Sequence, residues 1–368
     1  MTRDLGTGRI MGSAPGSNNH LKLAIVGATG GLNVSESLRR AAVADGHSVQ
    51  YFGVEKADPG SRLLRSLAWH LADRRPPLLN RFSTGVVESC AKAPPDVLIA
   101  TGISPLTATA LKSLRAMGVV CINYSTDDPW NPSLGAGWHL RALLYFHHIF
   151  TPRRANIEQF RQIGCADVSY LPFGYDEWLF SPPDRTAGTP VHDVMFVGGA
   201  DRDRVAFVTE FMRHGPPICL VGGFWERYRE TRPFTIGLKP PEDLRLLTAA
   251  AKVNLCLVRR ANRDGHVMRS FEIAAIGGCM LAEDTTEHRE IFGANGETVV
   301  YFSTPEEAAD RAVALIADPV GRARLSSAIR KRIASGGHTY RDRLSSMLSV
   351  QNGSNRNDGH NTQVSLTP

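Results

Sequence analysis

Two series of apolar runs, one in each half of the chain, constrain the fold more than any other feature. The first reads LKLAIVG (21–27), SVQYFGV (48–54), DVLIAT (96–101), VVCINY (119–124), HHIFT (147–151) and VSYLPF (168–173). The second reads DVMFVGG (193–199), PICLVGG (217–223), PFTIGL (233–238), KVNLCLV (252–258), CMLAE (279–283) and TVVYFS (298–303). These runs are continuous rather than alternating, and helical stretches separate them. Strands apolar on both faces belong to parallel sheets covered by helices. The expected fold class is therefore α/β, with two Rossmann-like doubly wound domains in tandem.

The stretch 174–192, with Pro182, Pro183, Gly188 and Pro190, reads as a linker. It separates a first domain at 21–173 from a second at 193–335. Gly336 and Gly337 break the helical pattern, and a short amphipathic helix is expected at 336–350. The polar tails, 1–20 and 351–368, are expected to be disordered.

With 368 residues, 42% apolar and 21% charged, the chain can bury two sizeable cores. A net charge of +6 favours anionic partners. Nucleic acid is the least supported such partner, and none is expected, for want of zinc-finger spacing, RNP-like aromatic strands or a dense basic run. The six cysteines are scattered without a C-x-x-C pair and read as buried reduced thiols. No run has the length of a signal-peptide core or a bilayer span, so the expected location is cytoplasmic.

The stretch DGHVMRSFEIAAIGG, residues 264–278, concentrates the chemistry. Gly265 lets backbone approach a ligand, and a helix starting near His266 or Val267 would turn its free N–H groups toward a diphosphate. Arg269 and Glu272 share the face of that helix start. From Asp264 to Glu272 a helix would span roughly 12 Å, suited to a sugar diphosphate at one end and a ribose at the other. The plainer reading is ordinary capping, with Glu272 half-exposed beside Arg269.

Two glycine turns follow the first strand of each series. VGATGGL, with Gly30 and Gly31, sits where a dinucleotide-binding loop would lie, but its spacing fails at Asn33 and the candidate ribose acid, Glu55, lies past a strand end. MFVGGADRDR supplies Gly198 and Gly199, with Arg204 near the next helix start, where a guanidinium reaches a phosphate. Asp201-Arg202-Asp203 matches a metal-binding Asp-x-Asp pattern, which is discounted because such tripeptides are common by chance.

The second domain, through RSFEIAAIGG (269–278), resembles the glycosyltransferase family 1-like domain of spore-maturation-type proteins. These have the GT-B fold, and are similar in turn to the retaining group of glycogen and sucrose synthases, with its Glu-x7-Glu motif. The resemblance covers roughly 190–345 and reaches the first domain mainly in architecture. It implies that Glu272 binds the ribose hydroxyls of a nucleotide-sugar donor and that Gly265 and the amides after it meet the diphosphate. Asp264 stands where the first motif glutamate would lie near the reacting sugar, one methylene shorter. Arg204 corresponds to the basic residue that neutralises the leaving phosphate, and Gly237 and Leu238 would lie near the nucleobase.

Such a transfer builds negative charge on the leaving diphosphate, which Arg204, Arg259 and the helix start at Gly265 can stabilise without a metal or other cofactor. Arg260 competes with Arg259 for that part. His266 is expected against the donor sugar. Asp127 and Asp128 stand at a strand's carboxyl end, where ligands of open sheets gather, although capping explains them as well. The acceptor, whether saccharide, lipid-linked or protein, would be held by the first domain. The segment 65–82, with Arg65, Arg74, Arg75, Arg81 and Trp69, would suit peripheral contact with an anionic inner-membrane surface carrying such an acceptor. The other readings are a nicotinamide-dependent oxidoreductase using VGATGGL and a catalytically silent GT-B binding protein.

Overall fold

The computed structural model describes residues 20–58, 60, 73–184 and 191–357. The first sheet is built from β1 (Lys22–Gly27), β2 (Ser48–Gly53), β3 (Val97–Thr101), β4 (Val120–Tyr124), β5 (His148–Thr151) and β6 (Val168–Tyr170). Its order is β2-β1-β3-β4-β5-β6, parallel throughout. The helices α1 (Val34–Ala44), α2 (Leu79–Lys92), α3 (Ala108–Ala116), α4 (Gly137–Leu143) and α5 (Arg154–Gln162) cover it. Strands β3 and β4 are buried almost throughout, as continuous apolar runs require.

The second sheet contains β7 (Val194–Val197), β8 (Ile218–Val221), β9 (Thr235–Gly237), β10 (Val253–Cys256), β11 (Met280–Glu283) and β12 (Val300–Phe302). Read from β9, its order is β9-β8-β7-β10-β11-β12, again parallel. That is the doubly wound dinucleotide-fold order, with its switch point between β7 and β10. The first sheet reverses between β1 and β3. Ligands of open α/β sheets bind at the carboxyl ends beside such reversals, so the loops after these four strands are where a site should form. The helices here are α6 (Arg202–His214), α7 (Pro241–Ala250), α8 (Met268–Ile276), α9 (Thr286–Phe292), α10 (Pro305–Ala317) and α11 (Pro319–Ser335).

The chain then crosses back. After Gly336 and Gly337, α12 (Tyr340–Asn357) lies on α1 of the first domain, and Arg341 pairs with Asp45 at 2.5 Å. Its Tyr340, Leu344 and Met347 share one core with Leu23 and Leu38 of the first domain and Phe271 of the second. The helix runs past the boundary at 351 that the polar sequence suggested. Tyr175, at the start of the expected linker, is tied to this crossing by its N–H to His338 O at 3.1 Å. Gly188 and Pro190 of that linker lie outside the described residues, as do residues 65–72 of the segment read as a membrane contact. Within that segment, Arg74 is spent on Gly135 O and Pro132 O at 2.6 and 2.5 Å, and Arg75 on Asn80 at 2.6 Å.

Polar side chains fasten the two domains along a seam. Arg263 grips the buried Asp128 with two bonds of 2.7 and 2.9 Å, and Asn131 donates to Asn262 at 2.6 Å. All six cysteines are free and buried, and burial pushes the Cys90 thiol up to about 11 and that of Cys121 to about 12. Among the described residues no helix is long and apolar enough to cross a membrane.

Candidate functional site

The carboxyl ends of the two sheets enclose a cavity of about 240 Å³. The second domain lines it with Gly198, Gly199, Arg204, Arg259, Asp264, Arg269 and Glu272, and the first with Thr126, Asp127 and Arg153. A larger groove of about 870 Å³ lies between α2, α3 and α4, but none of these charged groups faces it. The smaller cavity is where charge converges, and the switch point of the second sheet opens on it, facing the loops after β4 and β5 of the first.

The turn after β7 shapes one wall. Gly198 N–H donates to Val221 O at 2.8 Å, and a Cβ on Gly222 would meet Gly198 O at 2.2 Å, so only glycine fits there. Asp201 caps α6 by accepting from Arg204 N–H at 2.9 Å, which assigns the first acid of the Asp-x-Asp pattern to helix capping. The cap fixes the backbone of Arg204 and turns its side chain inward. Its guanidinium is buried, donating to Gly199 O at 3.2 Å and Leu257 O at 3.3 Å, while Nε has no hydrogen-bond partner. Burial, and then Arg259, lowers its pKa. Arg259 is half-exposed and, like Arg204, stands 3.8 Å from Asp201. Two guanidiniums with one distant carboxylate leave positive potential for an anion. Arg260 turns away to Glu283 at 2.9 Å.

Helix α8 supplies the opposite wall. It begins at Met268, with Val267 as its cap, close to the expected start, and ends at Gly277 with φ +86, a glycine cap. Ser270 Oγ accepts from Val267 N–H at 3.3 Å and is held by His288 at 2.9 Å. Glu272 is 3% exposed, which removes the plainer half-exposed reading. Arg269 Nη1 lies 2.5 Å from Glu272 Oε2, off hydrogen-bond alignment. Burial raises the Glu272 pKa despite that cation. A carboxylate held against this cost in the cavity wall suits a ligand hydroxyl.

Asp264 meets the first domain directly. Arg153 Nε donates to Asp264 Oδ1 at 2.5 Å, and the other guanidinium nitrogens bond Ser125 O and Thr126 O at 3.2 and 2.8 Å. Burial raises the Asp264 pKa and Arg153 opposes it. Asp127 is raised by burial too, and opposed by Arg153 and Arg259. Gly102, at φ +61, leaves room for its carboxylate, which would lie 2.6 Å from a Cβ there.

Six expected residues stand outside the cavity, four of them in the second domain. His266 is 1% exposed and does not reach the cavity; it bonds Glu287 at 2.6 Å through Nδ1 and accepts from Phe173 N–H at 3.1 Å through Nε2. Both ring nitrogens are thus used in packing rather than turned to the cavity. Gly265 serves the same packing: a Cβ there would lie 2.5 Å from the Glu287 carboxyl carbon, and the cavity meets Asp264 and Val267 instead. Gly237, at φ +72, and Leu238, 82% exposed, stand outside the cavity at the carboxyl end of β9.

The first glycine loop also stays outside the cavity. Gly30 has φ +107, and a Cβ on Gly31 would lie 3.3 Å from Pro241 of the second domain. Glu55, the candidate ribose acid, accepts from Thr29 N–H at 2.7 Å. The loop is thus turned toward the other domain rather than closed over a dinucleotide.

Arg153 is the cavity residue that sequence reasoning missed. It follows β5 by two residues, in the TPRRANIEQF stretch, and the rule of carboxyl strand ends that marked Asp127 could have marked it. Asn262 and Cys256 also line the cavity and carry no pattern of their own.

Residues 202–349 match the model of the family described as glycosyl transferase-like. No curated protein matches the chain. Sucrose-phosphate synthase from Thermosynechococcus elongatus is similar in structure, with a TM-score of 0.67 at 15% identity over 92% of this chain and 100% of that one. Anabaena Alr3699/HepE in complex with UDP-glucose aligns with a TM-score of 0.61 at 14% identity, covering 90% and 100%. α,α-Trehalose 6-phosphate synthase from Burkholderia multivorans gives 0.62 at 10%, covering 92% and 99%. The chain therefore has the GT-B fold, and its second half carries a glycosyl transferase-like domain.

Proposed function

We propose that this protein is a glycosyltransferase that moves a sugar from a nucleoside diphosphate donor, bound mainly by the second domain, to an acceptor held by the first. The observation that carries the reading is the convergence of Arg204, Arg259 and the buried Glu272 in one interdomain cavity. Glu272 accepts the ribose hydroxyls, and Arg204 and Arg259 meet the diphosphate. As the anomeric bond breaks, charge grows on the leaving phosphate. Fixed cations and the free N–H groups of α8 stabilise that charge without having to reorganise. Asp264, held by Arg153, stands at the sugar end of the site.

The course we propose is metal-independent and retaining, with the departing phosphate taking the acceptor's proton. The acceptor is a saccharide, a lipid-linked saccharide or a protein, and a lipid-linked one would bring the molecule to an anionic membrane surface. Both UDP and UDP-glucose occur in complexes of the similar Anabaena protein, which supports a nucleotide-sugar donor. A nicotinamide-dependent reading finds no such support among these complexes, and Gly31 of its loop packs toward Pro241.

Thermal shift tests the reading. A ligand bound only by the folded state stabilises it by RT ln(1 + [L]/Kd). UDP or GDP at a hundredfold excess over Kd should raise Tm by several degrees, with NAD(H) inert. The reverse pattern would reject the proposal.

A further inference from the structure

Phe224 combines a left-handed backbone with an exposed aromatic side chain. Its backbone lies in the left-handed region at φ +74, where a bulky residue is strained, and its ring is 49% exposed. Burial therefore does not explain the strain. The neighbouring Trp225, by contrast, is fully buried and donates its indole N–H to Gly198 O at 2.8 Å.

The loop that carries Phe224 is locked to the phosphate-facing turn. Ala200 N–H donates to Gly223 O at 3.0 Å, and Gly222 N–H donates to Gly237 O at 3.0 Å. Through these bonds Phe224 is displayed at the carboxyl end of β8, next to Gly199 of the cavity wall and beside the turn that leaves β9. Arg227 stands 4.2 Å from the ring centroid and covers one face. On the β9 side, Ile236 and Leu238 are also exposed, at 38% and 82%.

We propose that the open face of Phe224 is a stacking platform for the planar base of the donor nucleotide, with Arg227 reinforcing the ring from behind. This rests on the donor reading given above. A diphosphate on Arg204 and Arg259 passes the Gly198-Gly199 turn, and the base then reaches the adjacent strand ends. Stacking accepts any base, so the platform adds affinity while edge contacts select among bases. The strained backbone holds the ring in place before the nucleotide arrives.

Isothermal titration of the full chain with UDP, GDP and inorganic pyrophosphate tests this. In Phe224→Ala, affinity for the favoured nucleoside diphosphate should fall about tenfold, the usual loss of one stacked base, with pyrophosphate binding unchanged. Phe224→Trp should retain nucleotide affinity. Phe224→Gly should lose affinity yet raise Tm, because glycine relieves the left-handed strain, and that result separates lost stacking from a damaged fold. Wild-type affinity for the nucleotide in both Phe224→Ala and Phe224→Gly would overturn the platform and leave the donor reading standing. A wild-type protein that binds neither UDP nor GDP would overturn both.

Discussion

Arg153 of the first domain and Asp264 of the second form an ion pair of 2.5 Å, with side chains 2% and 5% exposed. Removing one partner of a buried pair leaves the other charge desolvated and unpaired, at a cost of about 3–5 kcal/mol. Arg153→Ala should therefore destabilise the whole molecule by that amount in urea unfolding, since the bond joins the domains. Replacing both residues, as in Arg153→Met with Asp264→Leu, should cost much less. A double-variant loss equal to the sum of the two single losses would show that the pair does not act as one unit.

Glu272 should weaken the fold for the sake of binding. Its folded pKa is raised above the ordinary 4.5, chiefly by burial. Below pH 4.5 the carboxyl is neutral in folded and unfolded chains alike. As pH rises, the unfolded chain ionises first, and stability falls until the raised folded pKa is passed. Glu272→Gln should then have a higher Tm than the wild type at pH 7, with the difference vanishing as pH falls below 4.5. Its affinity for UDP or GDP should drop about tenfold to a hundredfold, the loss of a charge-assisted hydrogen bond. Scanning calorimetry across pH, paired with titration, checks both halves. A variant of lower Tm with intact affinity would assign Glu272 to structure.

Strand and helix identity were largely legible because each buried strand is a continuous apolar run, and Gly277 marks the end of α8 by its cap. Arg204 and Glu272 were also legible, each standing at a fixed offset from a strand or helix start. What the sequence concealed was which groups spend themselves on partners distant in the chain. His266 and Gly265 lie in the same informative stretch as Glu272, yet their partners, Phe173 and Glu287, are 93 and 21 residues from His266 in the chain. Local spacing carries no record of such contacts. Arg153 was hidden for the same reason: its meaning depends on Asp264, 111 residues away.

Arg204 is anchored by two backbone carbonyls and keeps Nε without a hydrogen-bond partner. If it meets charge that develops on the leaving phosphate, Arg204→Ala should lower kcat about tenfold to a hundred-and-fiftyfold with a smaller change in KM. Lysine keeps the charge but cannot span both carbonyls as the planar fork does, so Arg204→Lys should recover only part of the rate. Steady-state kinetics with the donor that gives the largest thermal shift provides the comparison. An unchanged kcat with raised KM would assign Arg204 to ground-state binding alone.

His266 gives the sharpest contrast between position in the sequence and place in the structure. It sits two residues from Asp264, but its Nδ1–H is given to Glu287 and its Nε2 accepts the Phe173 N–H. Removing the ring leaves the buried Phe173 N–H without its acceptor and takes from Glu287 its shortest hydrogen bond, leaving the longer ones from Tyr170 and the Arg154 N–H. An unmet buried polar group costs about 1–3 kcal/mol, so His266→Ala should be destabilised by at least that much in urea unfolding. Because the ring does not line the cavity, affinity for UDP or GDP should stay within about threefold of the wild type under conditions where the variant is folded, a change below about 0.7 kcal/mol. Glutamine, which can donate and accept, should restore part of the stability. A variant with wild-type stability and a nucleotide affinity lowered tenfold would return His266 to the donor site.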